Sequence, residues 1–458
     1  MATELRSYVR GLDLDAYVVG GSVRDELLGL PQHDEDFLVP GVDHAGLRDA
    51  LSPHGRIEDL EVHGQLVGVR LHPSHRAARA LAPKGIEFTP ARVERSTGPA
   101  HKDFAIVADG TVTIEADMAR RDFTVNAMAR RLADGELVDP FGGRADLEHR
   151  VLRTVAPESF ADDPLRILRG LRLVSQLRFT LADETRAQME RNAAGLAHVS
   201  PERIGGGIKA DGMGELSRLL HGTAPATALA LMRDTGALVV VLPELAAMIG
   251  YRTTSTRQVG SVEEHTFAVV HNLVGTGADT TVRLAALMHD AAKPEAAATG
   301  GSHSALGAKL AAGALRRLRY PVAVIRDVRT IIAAHGFALE PWQEGADAAL
   351  ATRRFLAGSG ERIARSIILL KRADLAAKTV PDWEKAALAR LAELLEEAVH
   401  DPYRLGDLAV DGADLIASGL AEGPALGGVL AGLLSRVVDD PTLNTREQLL
   451  ALAGELSP

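Results

Sequence analysis

Three acidic residues in apolar surroundings are the first groups in this sequence with chemistry to offer. Asp34 and Asp36 flank Glu35 just before the run Phe37-Leu38-Val39. If this segment is a strand, side chains alternate and the two aspartates point to one face. Paired carboxylates repel each other unless a cation lies between them, and Mg²⁺ binds through oxygen ligands of this type. Glu87, in Ile86-Glu87-Phe88-Thr89, adds a third carboxylate in another apolar run. Together they could hold two Mg²⁺ ions, which would activate an attacking hydroxyl and stabilise a leaving pyrophosphate. A solvated Asp-rich turn would use the same residues, so this segment alone leaves both readings open.

Two further motifs bear on that choice. Gly20-Gly21-Ser22-Val23-Arg24-Asp25 follows the apolar run Ala16-Tyr17-Val18-Val19. Paired glycines after a strand let the backbone turn tightly and approach a ligand, amides at the next helix start face phosphate oxygens, and Arg24 adds charge. An ordinary strand-to-helix turn has the same composition. In Arg120-Arg121-Asp122-Phe123-Thr124-Val125-Asn126-Ala127, a helix would put Asp122 and Asn126 on one face, with Phe123 and Ala127 packed inward. The arginine fork suits triphosphate oxygens, although a capped helix with a solvated basic start also fits.

Taken in order, Gly-Gly-x-Val-Arg-Asp, Asp-x-Asp and Arg-Arg-Asp-Phe-Thr-x-Asn-Ala resemble the bacterial (class II) CCA-adding enzyme and poly(A) polymerase family. Asp139-Pro140-Phe141-Gly142-Gly143, Asp146-Leu147, Leu152-Arg153 and Asp162-Asp163-Pro164-Leu165-Arg166 with Arg169 and Arg172 extend the likeness over roughly residues 15 to 220. The resemblance implies a polymerase beta-like nucleotidyltransferase head in which Asp34 and Asp36, with Glu87, bind the catalytic metals. It puts Gly20, Gly21 and Arg24 in the nucleotide cradle, and Arg121, Asp122 and Asn126 on triphosphate and ribose. Asp163 and Arg166, followed by Arg169 and Arg172, match the segment whose hydrogen bonds read the Watson–Crick edge of CTP or ATP. Asp162 or Asp163 could at the same time cap a helix whose first position is Pro164. The implied partners are the tRNA 3′ end, ATP and CTP. Two positions depart from the family pattern: Asp162-Asp163 stands where Glu-Asp is common, and Ser96 to Asp103 lacks the usual Arg-Pro pattern. The second departure keeps full CCA addition, partial addition and A-only addition all in play.

A separate set of metal-ligating types lies further on. His289-Asp290 ends the apolar run Leu284-Ala285-Ala286-Leu287-Met288, with His265 upstream and Asp374 downstream. Such a set can bind one divalent ion through mixed nitrogen and oxygen ligands. It resembles the HD phosphohydrolase superfamily, and His303 and His335 fit the additional ligands of a two-metal version. The usual glycine after His-Asp-x is Ala292 here, followed by Lys293-Pro294. The identity of the metal is left open.

The elements that must position these groups change character along the chain. Short apolar runs punctuated by Gly, Pro and Asp fill residues 17 to 150 and suggest strands mixed with helices. From about Ala161, Leu165, Leu168, Leu171 and Leu177 recur with arginines between them, and amphipathic helical spacing continues through most of the rest. The fold class is α+β: a head with a small mixed sheet (1–155), an all-α neck (156–248), an HD-type metal domain (249–378) and a helical body or tail (379–458). Loops are expected at Gly205 to Gly214, Tyr251 to Gly260 and Ala297 to Ser302. Leu408 to Leu415 resembles the family's C-terminal body segment and suggests a tail that grips the tRNA elbow.

Composition excludes several alternatives. The 458 residues contain no cysteine, which removes disulfides, thiolate nucleophiles and cysteine zinc sites. No apolar run of ~18 residues could span a bilayer, and Met1 to Gly11 lacks a signal-peptide pattern, so a cytoplasmic protein is expected, with no membrane partner. A net charge of −10 argues against an extended nucleic-acid coat and confines RNA to a local basic surface. The leading reading is CCA addition to tRNA, followed by poly(A) polymerase, A-only or CC-only addition in the same family. A different class, an HD phosphohydrolase with an RNA-recognising head, leaves Asp34, Asp36, Arg121 and Arg166 without a task. A pure tRNA-binding scaffold would bury carboxylates with nothing to offset them.

Overall fold

The computed structural model describes residues 2–31, 35–62, 64–96, 104–207, 212–344 and 347–456. The chain divides into two compact units, Met1–Pro243 and Glu244–Pro458. The first nine strands of the first unit are β1 (Tyr17–Val19), β2 (Asp36–Val39), β3 (Gly55–Val62), β4 (Gln65–Pro73), β5 (Ile86–Pro90), β6 (Val93–Ser96), β7 (Phe104–Val107), β8 (Ala129–Arg131) and β9 (Leu137–Val138). Seven of them form a mixed sheet in the order β3-β4-β5-β2-β1-β8-β9, and β6 pairs with β7 as a separate hairpin. The pairing of β2 with β5 is parallel, while its neighbours on either side are antiparallel.

Side-chain alternation divides the sheet's apolar residues between its two faces. Phe37 and Phe88 stack on one face with ring centroids 5.5 Å apart. On the other, Tyr17, Val19, Leu38 and Ala129 pack with Ile114 and Met118, which belong to the helix Ile114–Ala119. Asp36 shares its face with Leu38 but opens the strand and is exposed, whereas the next three residues are buried.

Beyond the sheet, helix Leu165–Leu177 buries Leu165, Ile167, Leu168, Leu171 and Val174 and ends at Arg178, which adopts the left-handed conformation. Arg166, Arg169 and Arg172 occupy the opposite stripe, as the spacing predicts. Two further short strands, β10 (Val151–Leu152) before this helix and β11 (Thr180–Leu181) after it, form a parallel pair. Gly170 permits close packing, since a Cβ there would lie 2.7 Å from Phe123 Cζ and from Met189 Cε.

The second unit is helical throughout its described residues. Helices Val262–Asn272, Thr280–Met288, His303–Arg317, Val322–Ala334 and Glu361–Ala376 carry the histidines and aspartates singled out above or border them. Ser261 and Glu264 form a capping box at the start of the first, and Asp279 caps the second. Tyr251 to Gly260 is irregular as expected, but the loop near 300 begins only at Gly300, because helix Lys293–Thr299 extends through Ala297. Further along, Asp411 and Asp414 form a capping box on helix Gly412–Ala417. Among the described residues no helix is long and apolar enough to cross a membrane.

Phe123 is fully buried and tilted against Phe160, with centroids 6.2 Å apart. Phe123→Ala is therefore expected to cost about 3–5 kcal/mol of folding stability, measured as a lower urea midpoint with an unchanged slope.

Candidate active site and metal centre

The first cluster is assembled by strand register. Asp36 of β2 lies opposite Glu87 of β5, which in turn lies opposite Arg70 of β4. Two carboxylates are thus neighbours across a parallel pair. Arg70 Nη2 approaches Glu87 Oε1 at 2.6 Å and Nη1 approaches Glu58 Oε1 at 2.9 Å, so one guanidinium of β4 joins carboxylates on the two strands that flank it, β5 and β3. Glu35, between the two aspartates of the motif, is buried and bonded to Arg6, in contrast to the exposed Asp36. Asp34 lies outside the described residues, as do residues 97–103 of the segment that departs from the family pattern.

The glycine turn follows β1. Gly20 has φ +73°, and a Cβ there would stand 2.8 Å from Arg121 Nη1; glycine satisfies both demands. Gly21 opens helix Gly21–Leu27, which carries Arg24. Arg24 Nη1 donates to Asn126 Oδ1 at 2.7 Å, Asn126 Nδ2 donates to Asp122 Oδ1 at 2.9 Å, and Arg169 Nε donates to Asp122 Oδ2 at 2.8 Å. Asp122 and Asn126 do meet, but not on an α-helix. Thr124–Asn126 is a single 3₁₀ turn after the extended Phe123, and the Asp122 side chain bonds the Phe123 amide at 2.9 Å. Such local side-chain bonds favour turns over helix. Burial alone would raise the pKa of Asp122, but Arg169, Arg166 and the Asn126 bond hold it well below the usual carboxylate range.

Asp163 precedes the neck helix and Asp163 Oδ1 accepts from Leu165 N at 3.1 Å, while Oδ2 meets Arg203 Nη2 at 3.3 Å. Pro164, expected as the first helical residue, takes the N-cap position, and Asp163 stands one residue before it. Arg166 donates to Ser159 Oγ at 3.0 Å and to the Arg120 carbonyl at 2.8 Å. Arg172 is two steps further along the stripe, past Arg169, and turns to Glu215 at 2.6 Å. Arg24, Arg121, Asp122, Asn126 and Arg169 are therefore brought together, Arg166 borders them through Arg120, and Arg172 belongs to a neighbouring ion pair.

In the second unit His265, His289, Asp290 and Asp374 bring ligand atoms within 4.8 Å of one another. His289 Nδ1 faces the Ala286 carbonyl at 2.8 Å, which leaves Nε2 directed at the carboxylates: 3.1 Å from Asp290 Oδ2 and 3.6 Å from Asp374 Oδ1. That nitrogen is buried without a hydrogen-bond partner, which fits a metal ligand oriented by its other ring nitrogen. His303 and His335 form a second group with Asp290, each Nε2 lying 3.8 Å from Asp290 Oδ1. Asp290 thus presents one oxygen to each group. A cavity of about 430 Å³ adjoins them, lined among others by Arg257, Lys293, Lys371 and Lys378.

Several partners are not evident from motif reading. Lys293 Nζ lies 2.6 Å from Asp290 Oδ2 and Lys378 Nζ 2.7 Å from Asp374 Oδ1. Asp117 bonds both Arg120 and Arg121. In each case a spacing of three or four residues on a helix is the available signal. Arg70 and Glu215 carry no such signal, because tertiary pairing alone brings them to Glu87 and Arg172.

Family models match in sequence order: the poly A polymerase head domain over residues 16–153, the probable RNA and SrmB-binding site of polymerase A over 178–249, and the HD domain over 262–377. The chain is 40% identical over 286 residues to a multifunctional CCA protein of Thioalkalivibrio sulfidiphilus, a match covering 61% of this chain and 63% of that relative. It is 36% identical over 333 residues to one of Ralstonia nicotianae, covering 70% and 71%. The chain thus spans less than two thirds of the first relative's length. A solved Bacillus stearothermophilus CCA-adding enzyme in complex with CTP superposes with a TM-score of 0.69 at 26% identity, covering 99% of this chain and 96% of that one.

The buried His/Asp group can hold a divalent ion, and its protonation makes that testable. Burial alone would lower the His289 imidazole, but Asp290 and Asp374 raise it to about 9 from 6.5. Stability from a raised imidazole is complete below the unfolded value and is lost as pH climbs through the folded one, whereas ion binding displaces the proton. Metal-stripped protein should lose thermal stability between pH 6.5 and 9, while stabilisation by added Mn²⁺ should grow over that interval. Calorimetric melts with and without chelator check this; a flat profile for the stripped protein would contradict a protonated His289.

Proposed function

Because the chain belongs to the family of the multifunctional CCA proteins, we propose that it is a tRNA nucleotidyltransferase that adds CCA to the tRNA 3′ end from CTP and ATP. The observation that carries this reading is the β2–β5 register that sets Asp36 beside Glu87, in the same unit as the Arg24–Asn126–Asp122–Arg169 chain. In this reading Asp34, Asp36 and Glu87 would hold two Mg²⁺ ions, which would activate the 3′ hydroxyl and stabilise charge on the departing pyrophosphate. Gly20 and Gly21 let the backbone approach the nucleotide, and Arg24 and Arg121 face its phosphates. Asp122 and Asn126 orient Arg24 and Arg169 and contact the ribose. Asp163 and Arg166 read the base: the carboxylate accepts from the amino group that C and A share, and the guanidinium donates to a ring acceptor. Arg169 and Arg172 complete the basic stripe. The Bacillus stearothermophilus relative is a CTP complex, which supports a nucleotide at this site.

A second activity is favoured by the lysine-rimmed cavity over the His/Asp cluster: metal-dependent hydrolysis of a phosphate ester, with His265, His289, Asp290 and Asp374 as ligands and His303 and His335 completing a second position. The division into head (1–155), neck (156–248), HD domain (249–378) and tRNA-binding body (379–458), and a cytoplasmic location with its CTP and ATP, belong to the same proposal.

Incubation with tRNA lacking CCA, ending in C, or ending in CC, with CTP and ATP supplied separately, distinguishes full, CC-only and A-only addition; extension of none of them would end the proposal. Asp36→Ala is expected to abolish extension without unfolding the protein. Arg166→Ala should lose about 1–3 kcal/mol of discrimination against UTP and GTP, and full selectivity in that variant would move the base-reading role elsewhere. His289→Ala combined with Asp290→Ala should remove hydrolysis of 2′,3′-cyclic nucleotides and leave extension nearly unchanged. Loss of extension in that double variant, still folded by circular dichroism, would assign the cluster to nucleotidyl transfer.

A further inference from the structure

Asp117 lies in helix Ile114–Ala119 and its side chain is 0% exposed. Both of its oxygens are engaged. Oδ1 accepts from Arg120 Nε at 3.0 Å and Nη2 at 2.9 Å, and from the Arg92 amide at 3.3 Å; Oδ2 accepts from Arg121 Nη2 at 3.1 Å. Burial works to raise its pKa, but Arg120 and Arg121 keep it lowered, so the carboxylate is charged in the core. A fully enclosed charge of this kind is costly unless it is paired and hydrogen-bonded, as Asp117 is to both arginines.

What it fixes is oriented toward the glycine turn. Arg121 has one edge on Asp117, while its Nη1 lies where a Cβ on Gly20 would be 2.8 Å away. Its Nε is buried without a hydrogen-bond partner, so Asp117 supplies the anchor for a guanidinium that is otherwise incompletely bonded. Resting on the reading above, in which Arg121 meets the nucleotide's phosphates, we propose that Asp117 is a positioning residue for triphosphate binding, holding Arg121 at the Gly20 turn without touching the nucleotide. Its chemistry is that of a buried counter-ion: it directs a fork that would otherwise sample several rotamers, so the binding geometry exists before the nucleotide arrives.

The test compares Asp117→Asn, Asp117→Glu, Arg121→Ala and the double variant Asp117→Asn with Arg121→Ala in the full chain. For each, steady-state extension gives KM for CTP and ATP, KM for tRNA and kcat, alongside melting temperature. Asp117→Asn keeps the shape and removes the charge, and should raise KM for both nucleotides about tenfold with KM for tRNA unchanged. Asp117→Glu, which keeps the charge but shifts it by a methylene, should lie between Asn and wild type. Adding Asn to Arg121→Ala should cost little more than Arg121→Ala alone, since both act through one guanidinium. A merely structural role would move the tRNA and nucleotide constants together with the melting temperature. Wild-type nucleotide KM in the folded Asn and Glu variants, with Arg121→Ala impaired, overturns the proposal; should Asn fail to fold, Glu alone decides it in the same way. Wild-type nucleotide KM in Arg121→Ala would instead remove Arg121 from phosphate binding, and the role of Asp117 with it.

Discussion

A carboxylate withdrawn from water keeps its charge only where cations or hydrogen-bond donors replace the solvent, and the first unit is organised around two such groups. Asp117 and Asp122 stand on either side of Arg120-Arg121 in sequence and both are buried. Asp122 draws Asn126 from its own turn and Arg169 from the neck helix, which fastens the turn to the helix. Asp117 draws in the arginine pair and the Arg92 amide. The polar residues that face the glycine turn are therefore held from behind by charge, and the apolar packing of Phe123 against Phe160 and Gly170 keeps that charge dry.

The second unit meets the same constraint with different partners. Asp290 and Asp374 are buried among His265 and His289, and Lys293 and Lys378 each place an ammonium on one of the carboxylates. A divalent ion among the four ligands would take over that compensation and leave the two ammoniums facing the cavity. The first unit uses arginines that fork and stay fixed; the second uses lysines on flexible stems, which can be displaced.

Residues in local motifs were legible in sequence, and residues joined by tertiary pairing were not. Gly20 follows from its position after a strand, and the amphipathic stripe of Arg166, Arg169 and Arg172 follows from helical spacing. That Asp36 and Glu87 are acidic in apolar runs is plain in the sequence, but their adjacency depends on β2 pairing parallel with β5, which no local pattern specifies. The Asp122-to-Asn126 segment reads as a helix because its spacing is four. Its aspartate instead bonds the Phe123 amide and turns the chain. Asp117 escaped because a charged residue three and four positions before arginines looks like a solvated helix face, and only burial reveals otherwise.

The β2–β5 pairing also has a consequence for how the chain is made. Synthesis is vectorial, and β5 emerges only after β3 and β4, so the central strand β2 waits beside β1 with one edge open. Arg169 must then reach back 47 residues to Asp122. No nascent chain that stops short of the neck helix can close this site, and until β5 arrives the edge of Phe37-Leu38-Val39 offers unpaired backbone groups to any neighbour. The interval between translation of β2 and translation of β5 is thus a stage at which this edge is exposed to mispairing.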